Sequence, residues 1–161
     1  MRITNQIFKL QKGPQGIKQT LALMSGLKDV GKKTVPIRQT ALSLVSHLPQ
    51  KDFKNEVYKI FSFVQNNIRY VKDVHNVETL QTPVNTLLFK QGDCDDKSVL
   101  LASLLESIGH KTRFKAIGLA PNKYSHVYVQ VFVNGKWVSL DATEPNQLGW
   151  EAPFYNNVLY G

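Results

Sequence analysis

The stretch KQGDCDDKSVLLASLLESIGH, residues 90–110, decides the fold and contains the only cysteine of the chain, Cys94. Steps of four, three, four and three residues lead from this cysteine to Ser98, Leu101, Leu105 and Ile108. Residues at these intervals lie on one face of an α-helix, and Gly109 is a suitable residue for its C-terminal cap. The pattern therefore predicts a helix that begins at Cys94 and ends near Gly109, with the cysteine at the start of the buried face.

The position of Cys94 in the first helical turn favours a reactive thiol. Free backbone amides and the positive end of the helix dipole lower the pKa of a thiol there from about 8.5. We therefore expect iodoacetamide to label Cys94 rapidly at neutral pH. Asp93 is the expected N-cap, and Asp95 and Asp96 are expected to point away, about 100° and 200° around the helix. The remaining repulsion between these carboxylates and a Cys94 thiolate requires a cation near the sulfur. A buried, unreactive cysteine is the alternative, and the local sequence leaves both open.

A β-hairpin is predicted for HVYVQVFVNGKWVSLDAT, residues 126–143, where apolar and polar residues alternate on both sides of Asn134-Gly135. This dipeptide is the strongest short signal for a hairpin turn. If the turn has two residues, Val133 pairs with Lys136. A shift in register by one residue would exchange the two faces of both strands.

In this register His126 and Asp141 are diagonal neighbours on one face, about 7–8 Å apart by backbone, which allows a hydrogen bond between their side chains. The opposite face carries valines and is a plain core surface. The face of His126 mixes polar and aromatic residues, which suits a sheet packed on a helix beside a wet cleft. His126 would then supply the cation that Cys94 requires. The other histidines, His47, His75 and His110, are interpreted as surface or hydrogen-bonded residues.

The rest of the chain is predicted to be helical first and β-rich afterwards, so the fold class is α+β. Residues 1–16 are predicted to form an irregular tail or a short strand that lies within residues 2–10. Apolar spacing and the positions of proline and glycine predict helices at residues 17–27, 36–48 and 51–68, then a region that is mostly loop with a short helix at 84–89, and a strand at 111–118.

The composition indicates one globular domain. The 161 residues are 42% apolar and carry a net charge of +8, but the lysines and arginines are scattered and form no nucleic-acid-binding motif. The sequence has no membrane-spanning stretch and no signal peptide, so we expect a cytoplasmic protein. The oligomeric state is not readable from the sequence.

Three motifs together resemble the transglutaminase-like superfamily, particularly its short bacterial and phage members. They are GDCDDKSVLLASLLESIGH (92–110), SHVYVQVFVNGKWVSLDAT (125–143) and, upstream, VETLQTPVNTL (77–87). The resemblance implies a papain-like core, with a cysteine at a helix start, a histidine that begins a strand and an aspartate that ends the next. It implies one domain over 1–161, with lead helices at 17–70 and a catalytic core at 78–145, and association with a phage as an alternative to a purely bacterial setting.

The same resemblance implies acyl chemistry at an amide bond through a thioester, with Cys94, His126 and Asp141 as the catalytic triad. The leading hypothesis is a cysteine protease or amidase that acts on a protein or peptide. Acyl transfer to an amine, and a non-catalytic assembly or binding module on the same fold, are the alternatives. The backbone amide of Cys94 is one oxyanion donor, and Gln81 and Gln91 are candidates for the second.

A metal site at Asp93, Asp95 and Asp96 is the remaining alternative. Hard cations take carboxylate ligands, but a calcium loop also needs a glycine turn and a distal glutamate that this stretch lacks. Adjacent aspartates also diverge around a helix. We therefore expect no metal and no cofactor.

Overall fold

The computed structural model describes residues 5–7, 14–72, 79–118, 123–143, 145–154 and 158–161. Within these ranges the helices are α1 (Pro14–Gly31), α2 (Val35–Val45), α3 (Phe53–Asn67), α4 (Pro83–Phe89) and α5 (Cys94–Ser107). The strands are β1 (Asn5–Ile7), β2 (Arg69–Tyr70), β3 (Thr79–Gln81), β4 (Gln91–Gly92), β5 (Lys111–Ile117), β6 (His126–Val133), β7 (Lys136–Leu140) and β8 (Val158–Tyr160). The predicted α+β class is confirmed, because helices precede an antiparallel sheet.

The main sheet has the strand order β7-β6-β5-β8, and all three of its pairings are antiparallel. The predicted two-residue hairpin is confirmed, with Val133 opposite Lys136. Asn134 and Gly135 both have positive φ, 52° and 83°, as a tight hairpin turn with the twist of its strands requires. The register therefore puts His126 and Asp141 on one face of the sheet, as predicted.

The last strand, β8, was not predicted from the sequence. It pairs with β5, and the backbone amide of Phe114 donates to the carbonyl of Gly161 at 2.7 Å, while the amide of Gly161 donates back at 2.9 Å. Three residues are too few for an alternating pattern to stand out from the background. The edge position of β8 is fixed by its partner strand and not by its own sequence.

Helix α5 lies at the centre of the molecule, against the lead helices on one side and strands β5 and β6 on the other. Every residue from Asp95 to Leu105 is buried, so the burial extends well beyond the single stripe predicted. A helix that is covered on several sides is buried all round. Its leucines belong to one hydrophobic cluster with the valines of β6, including Val129 and Val131.

In its described part, the region predicted to be mostly loop, residues 69–91, contains β2, β3, the start of β4 and α4. Strands β2 and β4 run parallel, and the amide of Val71 donates to the carbonyl of Gly92 at 2.9 Å. Lys90 ends α4 with a φ of 57°, which turns the chain into β4. These bonds join the end of α3 to the start of α5, a long-range pairing that local sequence does not encode.

The lead helices were predicted in the right places, with inexact ends. Helix α1 begins at Pro14, inside the predicted tail, and continues to Gly31, while α2 ends at Val45, three residues before its predicted end. No helix in the described ranges is both long enough and apolar enough to cross a membrane. The division into one domain over 1–161 stays a prediction.

Candidate functional site

The first turn of α5 is held by a reciprocal cap. Asp93 is the N-cap, as predicted: its Oδ1 accepts from the backbone amide of Asp96 at 2.9 Å, and Asp96 Oδ2 accepts from the amide of Asp93 at 3.2 Å. Asp96 Oδ1 also accepts from the backbone amide of Gln81 at 2.8 Å. Two of the three aspartates around the cysteine thus fix the backbone of the turn that carries it.

Cys94 is half-buried as a residue, and its thiol is held in its protonated form. Its Sγ donates to Asp95 Oδ1 at 3.6 Å, so the expectation that Asp95 points away is wrong. Burial of the sulfur raises the pKa of the thiol most, and the charges of Asp95 and Asp93 raise it further. The predicted lowering of the thiol pKa by the helix start is therefore overturned. Desolvation and two carboxylates outweigh the dipole here.

The start of β6 lies against the first turn of α5. A hydrogen bond from the Val127 backbone acts on the Cys94 sulfur and lowers the pKa of the thiol. One turn further along the helix, the Ser98 hydroxyl donates to the Val127 carbonyl at 3.4 Å. Val127 directly follows His126. His126 is therefore next in the chain to Val127, whose backbone contacts the Cys94 sulfur.

His126 and Asp141 form a hydrogen-bonded pair. His126 Nε2 lies 2.6 Å from Asp141 Oδ2, and the Asp141 carboxylate is 3% exposed. The backbone amide of Thr143 donates to Asp141 Oδ1 at 3.2 Å, and the Thr143 hydroxyl donates to the same oxygen. Burial alone raises the pKa of Asp141, but the bond and charge of His126 and the bonds of Thr143 outweigh it, so the pKa is lowered.

Lys97, which the sequence did not single out, is a buried residue of α5 that is subject to the charge of Asp141. It is 2% exposed, and its Nζ donates to the Ile68 carbonyl at 2.7 Å. Burial lowers the pKa of Lys97 to about 8, against the attraction of the Asp141 charge, which raises it. The sequence offers one signal for Lys97. It lies three residues after Cys94, and this spacing places both residues on the same side of the helix.

The mixed face of the sheet is covered by the C-terminal segment, not by a helix as its composition suggested. The Tyr128 ring lies 5.7 Å from the His126 ring, and the Tyr128 hydroxyl donates to Glu151. Lys115 Nζ donates to the same carboxylate at 2.5 Å. Burial and Glu151 raise the pKa of Tyr128, so this phenol stays protonated. Glu151 was missed because nothing in its local sequence ties it to a strand 23 residues earlier.

The two glutamines proposed as oxyanion donors are placed differently. Gln81 lies at the start of α5, bound through its backbone to Asp96, and its Oε1 accepts from the Thr86 hydroxyl at 3.0 Å. That bond orients the carboxamide and leaves its NH₂ group as the donor end. Gln91 is exposed in β4. Neither assignment is tested by these contacts, and Gln81 is the better candidate for a donor beside Cys94.

The remaining histidines and acids take ordinary roles where the structure describes them. His47 is exposed, His110 Nε2 lies 2.8 Å from Glu56 Oε1, and His75 lies outside the described residues. Among the side chains that the structure describes, no group of three or more His, Cys, Asp or Glu could hold a metal ion. The carboxylates of Asp93 and Asp96 serve instead as helix caps.

Comparisons with known proteins point to one fold family. Residues 40–142 match the sequence profile of the transglutaminase-like superfamily, and no curated protein matches the chain significantly. Among solved structures, a candidate cysteine protease from Cytophaga hutchinsonii is 19% identical with a TM-score of 0.55, over 78% of this chain and 48% of that one. A candidate protease from Parabacteroides distasonis is 16% identical with a TM-score of 0.58, over 78% and 27%. These similarities show a shared fold, and the chain spans less than half the length of either neighbour.

Proposed function

The chain belongs to the transglutaminase-like superfamily, and from this premise we propose that it is a thiol-dependent acyl-transfer enzyme, most simply a cysteine protease or amidase. Cys94 is the nucleophile, His126 is the general base and acid, and Asp141 orients the imidazole. The substrate is an amide bond in a protein or peptide. The names of the two similar structures, both candidate proteases, support hydrolysis as the simplest outcome.

The observation that carries the proposal is the bond of 2.6 Å between His126 Nε2 and Asp141. A carboxylate at Nε2 fixes the neutral ring with its proton on that nitrogen, so Nδ1 keeps a lone pair. The adjacent residue, Val127, contacts the Cys94 sulfur through its backbone. A base oriented by a buried carboxylate, one residue along the chain from the backbone that contacts the thiol, supports an arrangement for nucleophilic catalysis.

The reaction begins from a neutral thiol, because the pKa of Cys94 is raised. His126 Nδ1 takes the thiol proton as the sulfur attacks the carbonyl carbon of the amide. The resulting imidazolium is stabilised by Asp141, whose lowered pKa keeps it ionised at neutral pH. The negative charge moves to the carbonyl oxygen, where the Cys94 backbone amide can donate, since an amide in the first helical turn has no partner within the helix.

Collapse of the tetrahedral intermediate completes the acylation. The C–N bond breaks, Nδ1 returns its proton to the leaving amine, and a thioester remains on Cys94. A water molecule then gives a proton to His126 Nδ1 and attacks the thioester carbonyl. The C–S bond breaks, a carboxylic acid leaves, and His126 returns the proton to the Cys94 sulfur. A primary amine at the same point would give a new amide, which is the transglutaminase-type alternative.

The test is a peptide library incubated with the protein, with and without an added primary amine, and read by mass spectrometry. Cys94→Ala is the inactive control, and Asp52→Asn, at the exposed N-terminus of α3, is a matched surface control. New peptide termini that appear with the parent and the surface variant, but not with Cys94→Ala, support hydrolysis. Amine adducts with the same dependence support transfer.

A non-catalytic binding module is the second candidate, and one observation favours it. The two carboxylates that raise the pKa of the Cys94 thiol oppose its use as a nucleophile. If the library returns neither cleavage, nor adducts, nor a thioester on Cys94, the enzymatic proposal is wrong and the module is the better description.

A further inference from the structure

The mixed face of the main sheet carries a second group of side chains at its far end, beside the hairpin turn. Register places them together, because Lys111 pairs with Phe132 and Phe132 pairs with Trp137, and paired residues point to the same face. Two aromatic residues of this group remain open to solvent, Phe132 at 42% and Tyr160 at 51%. We call Lys111, Arg113, Phe132, Trp137 and Tyr160 the hairpin-end patch.

The guanidinium group of Arg113 is held between two rings of this patch. Its Cζ lies 4.2 Å from the centre of the Trp137 ring and 4.0 Å from the centre of the Tyr160 ring. Its Nε donates to Gln130 Oε1 at 2.8 Å, and Gln130 Nε2 donates in turn to the Ser139 hydroxyl at 2.9 Å. These contacts fix the orientation of the guanidinium group and leave its terminal NH₂ groups as donors.

The two cations of the patch lack an acidic partner. Within the part of the chain that the structure describes, neither Lys111 nor Arg113 forms an ion pair. Lys111 Nζ lies 5.8 Å from the centre of the Trp137 ring, next to the ring that covers Arg113. Both charges are therefore available to a negatively charged group from another molecule.

A cavity of about 300 Å³ opens beside the patch. Its walls include the rings of Phe53 and Phe132, the side chain of Val133 and Lys111. Phe53 is itself 45% exposed. The volume lies at the lower end of the range of ligand pockets, about 300–1,000 Å³. Two rings and a valine favour an apolar group in the cavity, with the Lys111 charge at its side.

The other titratable residue of the cavity wall is His110, and it is already bound. Its Nε2 lies 2.8 Å from Glu56 Oε1, and the side chains of His110 and Glu56 are 7% and 18% exposed. Lys111 is thus the exposed charged residue of the lining. The cavity and the patch together combine an apolar recess with two adjacent positive charges.

This combination fits an acidic peptide segment better than a nucleic acid. Arginine held in a fixed orientation matches the two oxygens of a carboxylate. Nucleic-acid bases stack on open aromatic faces, but Arg113 already lies over one face of both Trp137 and Tyr160. The net charge of +8 also attracts acidic partners.

We propose that the hairpin-end patch and its cavity form a docking site for an acidic segment of a partner protein that carries one large apolar residue. The apolar side chain enters the cavity between Phe53 and Phe132, and carboxylates on either side of it bind Lys111 and Arg113. Phe132 lies six residues after His126 in β6, which is roughly 20 Å along an extended strand. The docking site is therefore separate from the candidate catalytic residues and does not depend on the proposed function.

The test is the binding of fluorescein-labelled peptides to the whole protein, measured by fluorescence anisotropy at physiological salt. The probe is the peptide EEFEE. The peptide QQFQQ lacks its charges, and EEAEE lacks its apolar anchor. EEFEE should bind at least about fivefold more tightly than either, because both the carboxylates and the buried ring contribute.

Three variants locate the site. Lys111→Gln and Arg113→Gln should each weaken the binding of EEFEE about 3–10-fold. Phe132→Ser should weaken it by a similar factor, since it removes one wall of the cavity. Lys18→Gln removes an exposed lysine of α1, and Leu42→Ser removes a leucine of α2 that is 48% exposed. Both of these matched controls should bind like the parent.

Equal binding of EEFEE, QQFQQ and EEAEE would overturn the proposal. So would parent-like affinity in all three variants, or an equal loss in the matched controls, since either result would place binding elsewhere or assign it to net charge. A short oligothymidylate that displaces EEFEE and binds more tightly would assign the patch to nucleic acid instead. If circular dichroism shows that Arg113→Gln does not fold, Lys111→Gln and Phe132→Ser decide, because both replace exposed residues.

Discussion

The Asp95 carboxylate lies 3.6 Å from the Cys94 sulfur and accepts its hydrogen bond, so the residue after the candidate nucleophile holds the proton on it. Replacing Asp95 with asparagine keeps the shape and removes the charge. Because that charge raises the pKa of the thiol, Asp95→Asn should make alkylation of Cys94 at neutral pH about 3–10 times faster.

The control for this prediction is Asp29→Asn, which removes an exposed carboxylate of α1 that pairs with Lys32. Its labelling rate should equal that of the parent. The parent itself should react more slowly than a free thiol, the reverse of the rapid labelling expected from the sequence. A parent that labels faster than a free thiol, or an Asp95→Asn variant that is no faster than the parent, would show that Asp95 does not hold the proton.

Loss of the Asp141 charge should impair catalysis without unfolding the protein at neutral pH. Asp141→Asn can present its NH₂ group to His126 Nε2, which favours the wrong tautomer and puts the proton on Nδ1. We expect kcat for any amide substrate found to fall about 10²–10⁴-fold, with a smaller change in KM. A rise in KM with an unchanged kcat would instead assign Asp141 to substrate binding.

Asp141 also predicts a stability change in acid. Its pKa is lower in the folded protein than its ordinary value, so its ionised form stabilises the fold above the ordinary value, and this contribution is lost as the pH falls through the folded pKa. Urea unfolding of the parent should therefore become easier as the pH falls below about 4. The same titration of Asp141→Asn should be flatter, and curves of equal slope would contradict the assignment.

Lys97 predicts the opposite behaviour in alkali. Its pKa is about 8 in the folded protein and about 10.4 in an unfolded chain, so between these values the unfolded chain binds more protons. The free energy of unfolding therefore rises with pH across this window. Relative to Lys97→Met, the parent should gain about 1–2 kcal/mol between about pH 7.5 and pH 9.5. The comparison cancels other groups, and a constant difference between the two proteins would contradict the pKa shift.

Gly92 should be intolerant of any side chain. A Cβ at this position would lie 2.6 Å from the Cβ of Asp96, a residue of the capping box at the helical turn that carries Cys94. Gly92→Ala should destabilise the protein by about 1–3 kcal/mol. Gly26→Ala is the matched control, because nothing lies within 4 Å of its added Cβ and alanine favours a helix by about 0.5–1 kcal/mol. Equal unfolding midpoints for the two variants would contradict the predicted clash.

The sequence predicted those parts of the fold that are encoded locally. The cap at Asp93, the helix from Cys94 and the turn at Asn134-Gly135 each depend on a few neighbouring residues, and the structure confirms all three. The family resemblance drawn from the three motifs is also confirmed. The assignment of Cys94, His126 and Asp141 as catalytic residues stays a proposal, although the geometry of the last two agrees with it.

What the sequence did not predict depends on pairs that are distant in the chain. The direction of the thiol pKa shift follows from burial and from the rotamer of Asp95, neither of which helical spacing determines. The roles of Lys97 and Glu151 depend on contacts with Ile68 and Tyr128, 29 and 23 residues away. Strand β8 is defined only by its partner.

Pairing between β5 and β8 has a consequence for handling the protein. Without residues 158–161, the outer edge of β5 would present unpaired amides and carbonyls next to the apolar side chains of Phe114 and Ala116, and exposed edges of this kind template sheet growth between molecules. Shortened versions of the chain are therefore expected to associate into insoluble material, even though every residue proposed for the chemistry is retained.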